Sequence, residues 1–298
     1  MLAEAERQTP ETVRSSYENT YREMRRAGYT AVGEFHYLGF DEALAAADAA
    51  RAAGVELVLL HTAYARGGLE RFRQGSVAAY LLELERLQEH GVRIAVAPHS
   101  VRACPADWLA DIGRYAESEE LPLHIHADEQ QREVEECLAE HGVRPIELLA
   151  SIGCLGPRTT VVHATHASDD ELDLLAEAEA RVCLCPTTEA NLGDGFAPID
   201  RLCERGIGVC IGSDSNVRID PLEEIREIDG IARRTTCKRD AISLDALLEM
   251  GADEGAAALG LESWPQIEVD LTHESLRGVG PDCVLAALVA GCGADVLI

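Results

Sequence analysis

Residues 121–129 read Leu-Pro-Leu-His-Ile-His-Ala-Asp-Glu, a short apolar run that ends in two histidines and two carboxylates. Thr159-Thr-Val-Val-His163 repeats the pattern, and Ile207-Gly-Val-Cys-Ile-Gly-Ser-Asp214 repeats it again. Each run has the length of a buried strand, and a polar, helix-like segment follows it. In a (β/α) barrel the carboxyl ends of the parallel strands meet at one mouth. The sequence therefore predicts that these histidines and carboxylates lie together there.

Four further apolar runs of the same kind lie at residues 30–36, 55–61, 92–98 and 181–185. Segments with helical periodicity separate the runs, and several begin at a recognisable cap, such as Thr9 before Pro10 or Ser168 three residues before Glu171. Strands that alternate with helices at this spacing predict a parallel sheet covered by helices. We therefore predict an α/β fold, with a (β/α) barrel over residues 1–262.

Seven predicted strands are one fewer than a closed eight-stranded barrel needs, and the chain opens on a helix. An open seam and cut chain ends are therefore expected. Residues 263–298 change in character, and Ala294-Asp-Val-Leu-Ile298 is predicted to be a strand interrupted by the end of the chain. An open doubly wound sheet is the alternative architecture, but the chain has no phosphate-binding loop of the GxGxxG type.

The composition is ordinary for a globular protein of 298 residues, with 47% hydrophobic and 27% charged residues, but the formal net charge is −27. So acidic a chain argues against nucleic acid or an anionic membrane as a partner, because both attract basic surfaces. No apolar run reaches the roughly 18 residues of a membrane span. The first residues lack the pattern of a signal peptide. We therefore predict a cytoplasmic protein.

The chain has ten cysteines but no CxxC pair. Cys183 and Cys185 are two residues apart in a predicted strand, so their thiols share one face. In a cytosolic protein, thiols in apolar surroundings are expected to be reduced and to pack as small hydrophobic side chains. Neither a zinc ribbon nor a disulfide framework is predicted.

The predicted mouth carries His126, Glu129, His163 and Asp214. Imidazole nitrogens and carboxylate oxygens are common ligands of zinc. A bound divalent metal lowers the pKa of water, and an adjacent carboxylate can accept the proton that the water loses. The four residue types together indicate hydrolytic metal chemistry.

Over nearly its whole length the chain resembles the formiminoglutamate deiminases of the amidohydrolase superfamily. The most specific matches are the stretches 124–131 (His-Ile-His-Ala-Asp-Glu-Gln-Gln), 162–166 (Val-His-Ala-Thr-His), 188–195 (Thr-Glu-Ala-Asn-Leu-Gly-Asp-Gly) and 212–215 (Gly-Ser-Asp-Ser). The resemblance implies a distorted (β/α)8 TIM barrel with a small β-domain. By this resemblance, the first strand and most of the small domain are expected to be missing from this chain, and residues 263–298 are expected to be a remnant of the small domain or of the end of the barrel. The implied reaction is hydrolysis of N-formimino-L-glutamate to N-formyl-L-glutamate and ammonia, in histidine breakdown.

The same resemblance implies a role for each residue of the mouth. His126 and Asp214 would hold one zinc ion. Glu129 would protonate the departing nitrogen, and His163 would polarise the scissile centre or help to hold the water. Asp214 would also take the proton from that water.

Substrate recognition is expected to fall on Tyr64, His99 and Arg102, which match family positions that contact the glutamate portion. Arg102 suits a carboxylate because its guanidinium can donate to two oxygens at once. The loop 189–194 is expected to line the pocket, without an assigned role. The expected partner is a small acidic substrate, and the sequence leaves a homodimer open.

The chain departs from the family in one respect: no His-x-His motif precedes residue 124, and the glutamine that follows that motif in the family is also absent. In the family both of these histidines bind the metal. With His126 and Asp214 alone the metal would have two protein ligands, where a catalytic zinc usually has three and a water. This chain is therefore expected to bind zinc weakly and to deaminate poorly.

Two explanations for this departure stay open. The favoured one is a fragment of an intact deiminase, because losing the first strand damages the fold as well as the chemistry. The other is a degenerate homologue that survives as a binding protein. A further alternative is another amidohydrolase deaminase, acting on a purine or a methylthioadenosine-like compound, which would share the four residues of the mouth. The sequence leaves open whether the metal is zinc or iron.

Three other histidines lie close to the predicted mouth. His124 is expected to be a structural, hydrogen-bonded residue, and His166 is expected to lie in the loop or behind the residues of the mouth. His36 ends a strand, and the sequence leaves open whether it faces the mouth or the core.

Overall fold

The computed structural model describes residues 5–298, in which the seven predicted strands are all present. They are β1 Ala31–His36, β2 Glu56–Ala63, β3 Ile94–Pro98, β4 Leu123–Ala127, β5 Thr159–His163, β6 Arg181–Leu184 and β7 Val209–Ile211. They form one parallel sheet in which each strand pairs with the next along the chain. The predicted α/β architecture is therefore confirmed.

Thirteen helices of the described residues surround the sheet or follow it. They are α1 Pro10–Arg26, α2 Phe40–Ala53, α3 Val77–Glu89, α4 Ala106–Ser118, α5 Gln131–His141, α6 Pro145–Ser151, α7 Asp169–Glu177, α8 Pro186–Leu192, α9 Ile199–Glu204, α10 Pro221–Thr236, α11 Leu244–Met250, α12 Asp253–Ala258 and α13 Val284–Gly291. The predicted caps are present: Thr9 starts α1, and Ser168 with Glu171 forms a capping box on α7. Among residues 5–298, no helix combines the length and the hydropathy needed to cross a bilayer.

The sheet is strongly curled. Phe35 of β1 and His126 of β4 have ring centroids 4.4 Å apart, although three strand spacings separate them. In a flat sheet those strands would lie about 14 Å apart. The inner face of the curl therefore encloses a small space, and β1 and β7 are its two edges within the described chain.

The main core lies between the outer face of the sheet and the helices. Leu59, Ile125 and Val161 point to this side and are completely buried. The alternate residues of the same strands point into the curl, since successive side chains of a strand face opposite ways. A smaller apolar cluster, which includes Leu60 and Ala256, occupies part of the inner side.

The carboxyl-terminal tail corrects one expectation. Residues 294–298 do not form a strand: Ala294–Val296 is a 3-10 turn, and Leu297 makes an isolated antiparallel bridge to Val269. The backbone amides of residues 296 and 297 bond back to Gly293 and Ala294, which bends the chain where a strand would have to be extended. Local turn formation therefore limits the expected strand to one bridge.

Candidate active site

His126 lies at the end of β4, and a hydrogen bond fixes which of its ring nitrogens carries the proton. Its Nδ1 lies 2.9 Å from the carbonyl oxygen of His99. A carbonyl only accepts, so Nδ1 carries the proton and Nε2 keeps its lone pair. Burial, with the nearby rings of His99 and His163, sets the pKa of His126 well below its usual value. The ring is therefore neutral and oriented, which is the form that binds a metal.

His163 ends β5 and is completely buried. Its φ of 76° is a left-handed conformation that a non-glycine residue seldom adopts. Its ring stacks on that of His126 at a centroid distance of 5.5 Å. Nε2 of His163 faces Glu129 Oε1 at 3.8 Å and Asp214 Oδ2 at 3.9 Å. The structure thus brings together the four residues that the sequence places at the mouth, and we use that name for the space between them.

Asp214 follows β7 in a left-handed conformation with a φ of 40°, and 27% of its side chain is exposed. Partial burial raises the pKa of Asp214, and the carboxylates of Glu129 and Glu189 raise it further against the opposing effect of His163. Burial alone would lower the pKa of His163, but its hydrogen bond with Glu189 and the charge of Glu129 raise it. The mouth therefore holds one carboxylate, Asp214, and one imidazole, His163, whose pKa values are both raised.

Tyr64, His99 and Arg102 also lie beside the mouth. The Tyr64 and His99 rings have centroids 4.6 Å apart, and those of His99 and His126 are 4.8 Å apart. Burial lowers the pKa of His99 to about 3, with the Arg102 charge acting in the same direction. His99 is therefore neutral at any ordinary pH.

Arg102 has protein partners that sequence reasoning did not reveal. Its Nη2 donates to Glu129 Oε2 at 2.9 Å, and its Nε lies 3.5 Å from Glu133 Oε1. Glu133 also accepts the backbone N–H of Glu129 at 3.0 Å. Burial raises the pKa of Glu133 to about 7 despite the charge of Arg102. The guanidinium therefore positions the Glu129 carboxylate as well as facing the pocket.

The stretch 189–194 corrects a second expectation, since most of it is helical rather than a loop. Residues 189–192 lie within α8, which ends where Gly193 adopts a φ of 76°. Glu189 of this helix lies 3.2 Å from His163 Nδ1 and accepts the Cys185 backbone N–H at 2.8 Å. The carboxylate therefore orients the His163 ring. Pro186 at the helix start was the available sequence signal.

Two aromatic residues of β1 and the turn after it were also missed. Phe35 packs on His126, and Tyr37 lies 5.9 Å from both Tyr64 and His99. His36, between them, points away from the mouth and stacks on His61 at 6.5 Å under the helices. Strand alternation explains all three positions, once the curl shows which face is inside. His124 is structural, as expected, with Nε2 2.8 Å from the carbonyl oxygen of Ala258.

His166 also lies outside the cluster of the mouth. Its backbone N–H donates to the carbonyl oxygen of Asp128, and its own carbonyl accepts from Arg144. Both contacts are made by its backbone, and His166 lies in the turn after β5, in agreement with the loop position expected for it.

Glu224 of α10 is hydrogen-bonded to the start of α8, and its shifted pKa predicts that the stability of the fold depends on pH. It is fully buried and accepts the Thr187 N–H at 3.0 Å and the Thr187 hydroxyl at 2.5 Å. Burial raises the pKa of Glu224 to about 7, although these two hydrogen bonds lower it. The folded state therefore holds a proton that the unfolded chain releases near pH 4. Its stabilising effect is complete below that pH and is lost as the pH rises through about 7.

We expect Glu224→Gln to remove this pH-dependent contribution to the free energy of unfolding. The contribution amounts to at most about 3 kcal/mol between about pH 4 and pH 7. The free energy of unfolding, measured by urea denaturation from pH 4.5 to 8, should fall less steeply in the variant than in the parent. Glu223→Gln, at a side chain that pairs with Arg218 near the surface, is the matched control. Equal slopes for the parent and Glu224→Gln would contradict the prediction.

The donor atoms of the mouth fit a divalent metal in type. His126 presents a neutral Nε2, and Asp214 supplies a carboxylate. Nε2 of His163 is buried without a hydrogen-bond partner among residues 5–298, and such an atom calls for a water or an ion. Two clear protein ligands are still fewer than a catalytic zinc usually has. Weak zinc binding at the mouth therefore stays a prediction.

Comparison with known proteins adds independent evidence. The formimidoylglutamate deiminase of Pseudomonas aeruginosa is 36% identical over 285 residues, covering 85% of this chain and 62% of the relative. The 5-methylthioadenosine/S-adenosylhomocysteine deaminase of Haloarcula marismortui is 32% identical, covering 86% and 60%. The chain thus spans about three fifths of the length of these relatives.

Solved structures share the fold. An amidohydrolase from Brucella melitensis superimposes with a TM-score of 0.87 at 31% identity, over 97% of this chain and 74% of that one. An adenosine deaminase from Xanthomonas campestris with bound zinc also gives a TM-score of 0.87, at 24% identity over 99% of this chain and 69% of that one. The sequence model of the amidohydrolase family matches residues 2–269. This chain belongs to the amidohydrolase family.

Proposed function

We propose that the chain carries the active site of a metal-dependent amidohydrolase that hydrolyses a C–N bond and releases ammonia. The observation that carries this proposal is the convergence of His126, Glu129, His163 and Asp214 around one space. Zinc is the metal that we propose, because a structural neighbour holds it and the donor types suit it. A bound divalent metal would supply Lewis-acid chemistry and lower the pKa of a water molecule toward neutrality.

The residues of the mouth then divide the proton transfers between them. Asp214 is placed to accept a proton from the attacking water. Glu129, on the other side of His163 Nε2, is placed to deliver a proton to the departing nitrogen. His163 can donate from Nε2 to the oxygen on which charge develops when both of its ring nitrogens are protonated, a state that Glu189 favours by accepting from Nδ1.

For the substrate we propose N-formimino-L-glutamate, which water converts to N-formyl-L-glutamate and ammonia. Support comes from the similarity to the Pseudomonas aeruginosa enzyme and from the cationic Arg102 beside the mouth. Within residues 5–298 no hydrogen bond occupies Nη1 of Arg102, so this edge is available to a substrate carboxylate. A small acidic amidine is the substrate class that this charge favours.

A second candidate is a deaminase of methylthioadenosine-type nucleosides. The Haloarcula marismortui relative favours it, and the aromatic side chains of Phe35, Tyr37 and Tyr64 could also stack on a purine. Ammonia release should be measured with N-formimino-L-glutamate, 5′-methylthioadenosine and 5′-deoxyadenosine at equal concentration, with added zinc. A higher rate with either nucleoside would overturn the proposed substrate, and no release from any of the three would overturn the proposed activity of this chain.

Arg102→Met separates the two substrate classes. We expect the ratio of kcat/KM for the acidic substrate to that for the nucleoside to fall by about 10- to 100-fold, the value of one charge-assisted hydrogen bond. Taking the ratio cancels the effect of the lost Arg102–Glu129 contact, which both substrates share. Arg132→Met is the control, because among the described residues Arg132 pairs only with Glu136 and 83% of its side chain is exposed. An unchanged ratio would show that Arg102 does not bind the substrate.

A further inference from the structure

The side of His163 that faces away from the mouth meets a second set of donor atoms. The Cys185 thiol and the Glu189 carboxylate lie there, and ligand atoms of the three residues are all within 4.8 Å of one another. His163, Cys185 and Glu189 are 0%, 1% and 2% exposed. One imidazole therefore has two distinct neighbourhoods, with Nε2 in the mouth and Nδ1 toward Glu189.

The backbone builds this second neighbourhood from two adjoining strand ends. His163 ends β5, and Cys185 follows β6 directly before α8, which carries Glu189. The Cys185 N–H donates to Glu189 Oε1 at 2.8 Å, so the Glu189 carboxylate lies beside Cys185 at the start of α8. Gly212, directly after β7, lies against both thiols. A Cβ on Gly212 would lie 2.9 Å from the Cys185 sulfur and 3.0 Å from the Cys183 sulfur.

The Cys185 thiol differs from other buried thiols of the chain. Cys104 and Cys154 donate to carbonyl oxygens, at 3.2 and 3.1 Å. Within residues 5–298 no carbonyl oxygen accepts from Cys185, whose interaction is with the neighbouring Cys183 thiol. A thiol is a weak hydrogen-bonding partner, so replacing this contact costs little. The Cys185 sulfur is therefore available to a stronger ligand.

Thiolate sulfur, imidazole nitrogen and carboxylate oxygen together form a donor set typical of zinc and its thiophilic analogues. One thiolate and one carboxylate also balance the charge of a dication, which matters because an unbalanced charge is costly at a fully buried position. We propose that His163 Nδ1, Cys185 Sγ and the Glu189 carboxylate form a second site for a thiophilic divalent cation such as Zn²⁺, Co²⁺ or Cd²⁺.

Binding would form one bond from the cation to each of the three residues. The thiol proton would leave to solvent. The Nδ1 proton would also leave to solvent if the ring starts doubly protonated, and would move to Nε2 if the ring starts neutral. In both cases the imidazole keeps one proton, on Nε2. Occupancy of the second site would therefore hold His163 in the form that donates into the mouth. The proposal goes beyond the proposed function and does not depend on which substrate, if any, the mouth accepts.

Cobalt titration tests the second site directly, because thiolate coordination gives a charge-transfer absorption in the near ultraviolet that oxygen and nitrogen ligands do not give. We expect this absorption to appear in the parent protein and to saturate at one cobalt per chain. Cys185→Ala should abolish it. Cys154→Ala, which removes a buried thiol elsewhere, should retain it. So should His126→Ala, which removes a proposed zinc ligand of the mouth but none of the three ligands of the second site.

Glu189→Gln keeps the thiol and provides a second test if Cys185→Ala folds poorly by circular dichroism. It should weaken the cobalt affinity at least about tenfold, as measured by the same absorption. The proposal is overturned if the absorption persists in Cys185→Ala, or if cobalt binds to the parent without any thiolate absorption. The latter result would leave a metal at the mouth, and with it the proposed function, standing. A failure to detect ammonia release would, in turn, not contradict the proposal of a second site.

Discussion

Replacing Arg144 with methionine is expected to lower the free energy of unfolding by about 3–5 kcal/mol, the usual result of removing one partner of a buried ion pair. Arg144 precedes α6, and its Nε donates to Glu171 Oε2 at 2.6 Å. Its Nη2 reaches Asp128 Oδ1 at 3.4 Å and the carbonyl oxygen of His166 at 2.5 Å. The side chains of Asp128 and Glu171 are completely buried. Without the guanidinium, the buried Glu171 carboxylate would lose its cation, and the Asp128 carboxyl group beside it would lose a hydrogen-bond donor.

The same ion pairs connect stability to the mouth. Asp128 adopts a left-handed φ of 54° immediately before Glu129, so Arg144 helps to hold the backbone that carries the Glu129 carboxylate into the mouth. Burial raises the pKa of Asp128, and the Glu171 charge raises it further. Adding Asp128→Asn to the Arg144→Met variant should therefore restore part of the lost stability, because the amide replaces an acid whose burial beside Glu171 opposes folding at pH 7.

Urea denaturation at pH 7, followed by circular dichroism, measures the effect. Arg132→Met is the matched control: Arg132 also pairs with a glutamate, Glu136, but 83% of its side chain is exposed. An exposed pair of this kind contributes about 0.5 kcal/mol or less. A loss below about 1 kcal/mol in Arg144→Met would show that the buried carboxylates do not depend on it.

Asp214→Asn is expected to lower kcat/KM for ammonia release by about 10³-fold or more, because it removes the group placed to accept the proton of the attacking water. The amide keeps the size of the side chain but binds a proton far more weakly. The position of Asp214, 3.9 Å from His163 Nε2, makes it the mouth carboxylate opposite Glu129. Initial rates with N-formimino-L-glutamate and excess zinc measure the effect.

Asp194→Asn is the control for this variant. Asp194 is also buried near the mouth, but its Oδ1 accepts from Gln130 at 3.1 Å. We expect its rate to stay within about tenfold of the parent, since it transfers no proton in the proposed reaction. A rate for Asp214→Asn within the same tenfold would remove Asp214 from the proposed mechanism.

Much of the fold follows from local sequence. Runs such as Val55–His61 and Leu121–His126 are apolar over the length of one strand and end at polar residues, so their burial and their direction are both evident. The structure places strands at 56–63 and 123–127, within two residues of these limits. The cap at Ser168 was equally local, because a capping box depends on residues three positions apart.

Less of the site could be predicted from the residues alone. That His126, His163 and Asp214 share a mouth follows from parallel strand order, which pattern reasoning supplies. The role of Glu189 does not follow, because its stretch has no apolar periodicity and looks like a polar loop. The inward position of Phe35 and the outward position of His36 needed the direction of the curl, which neither residue reveals.

By itself, the sequence determined the seven strands, their parallel order and the polar residues that stand at their carboxyl ends, because apolar runs and their spacing are local properties. Only the tertiary structure decided which of those polar groups pair. The contact of Arg102 with Glu129 spans 27 positions and that of His163 with Glu189 spans 26. Such contacts depend on how a curled sheet brings separate strand ends within a few ångströms. The charge of a buried side chain shows that it needs a partner, but only the three-dimensional structure shows which residue is that partner.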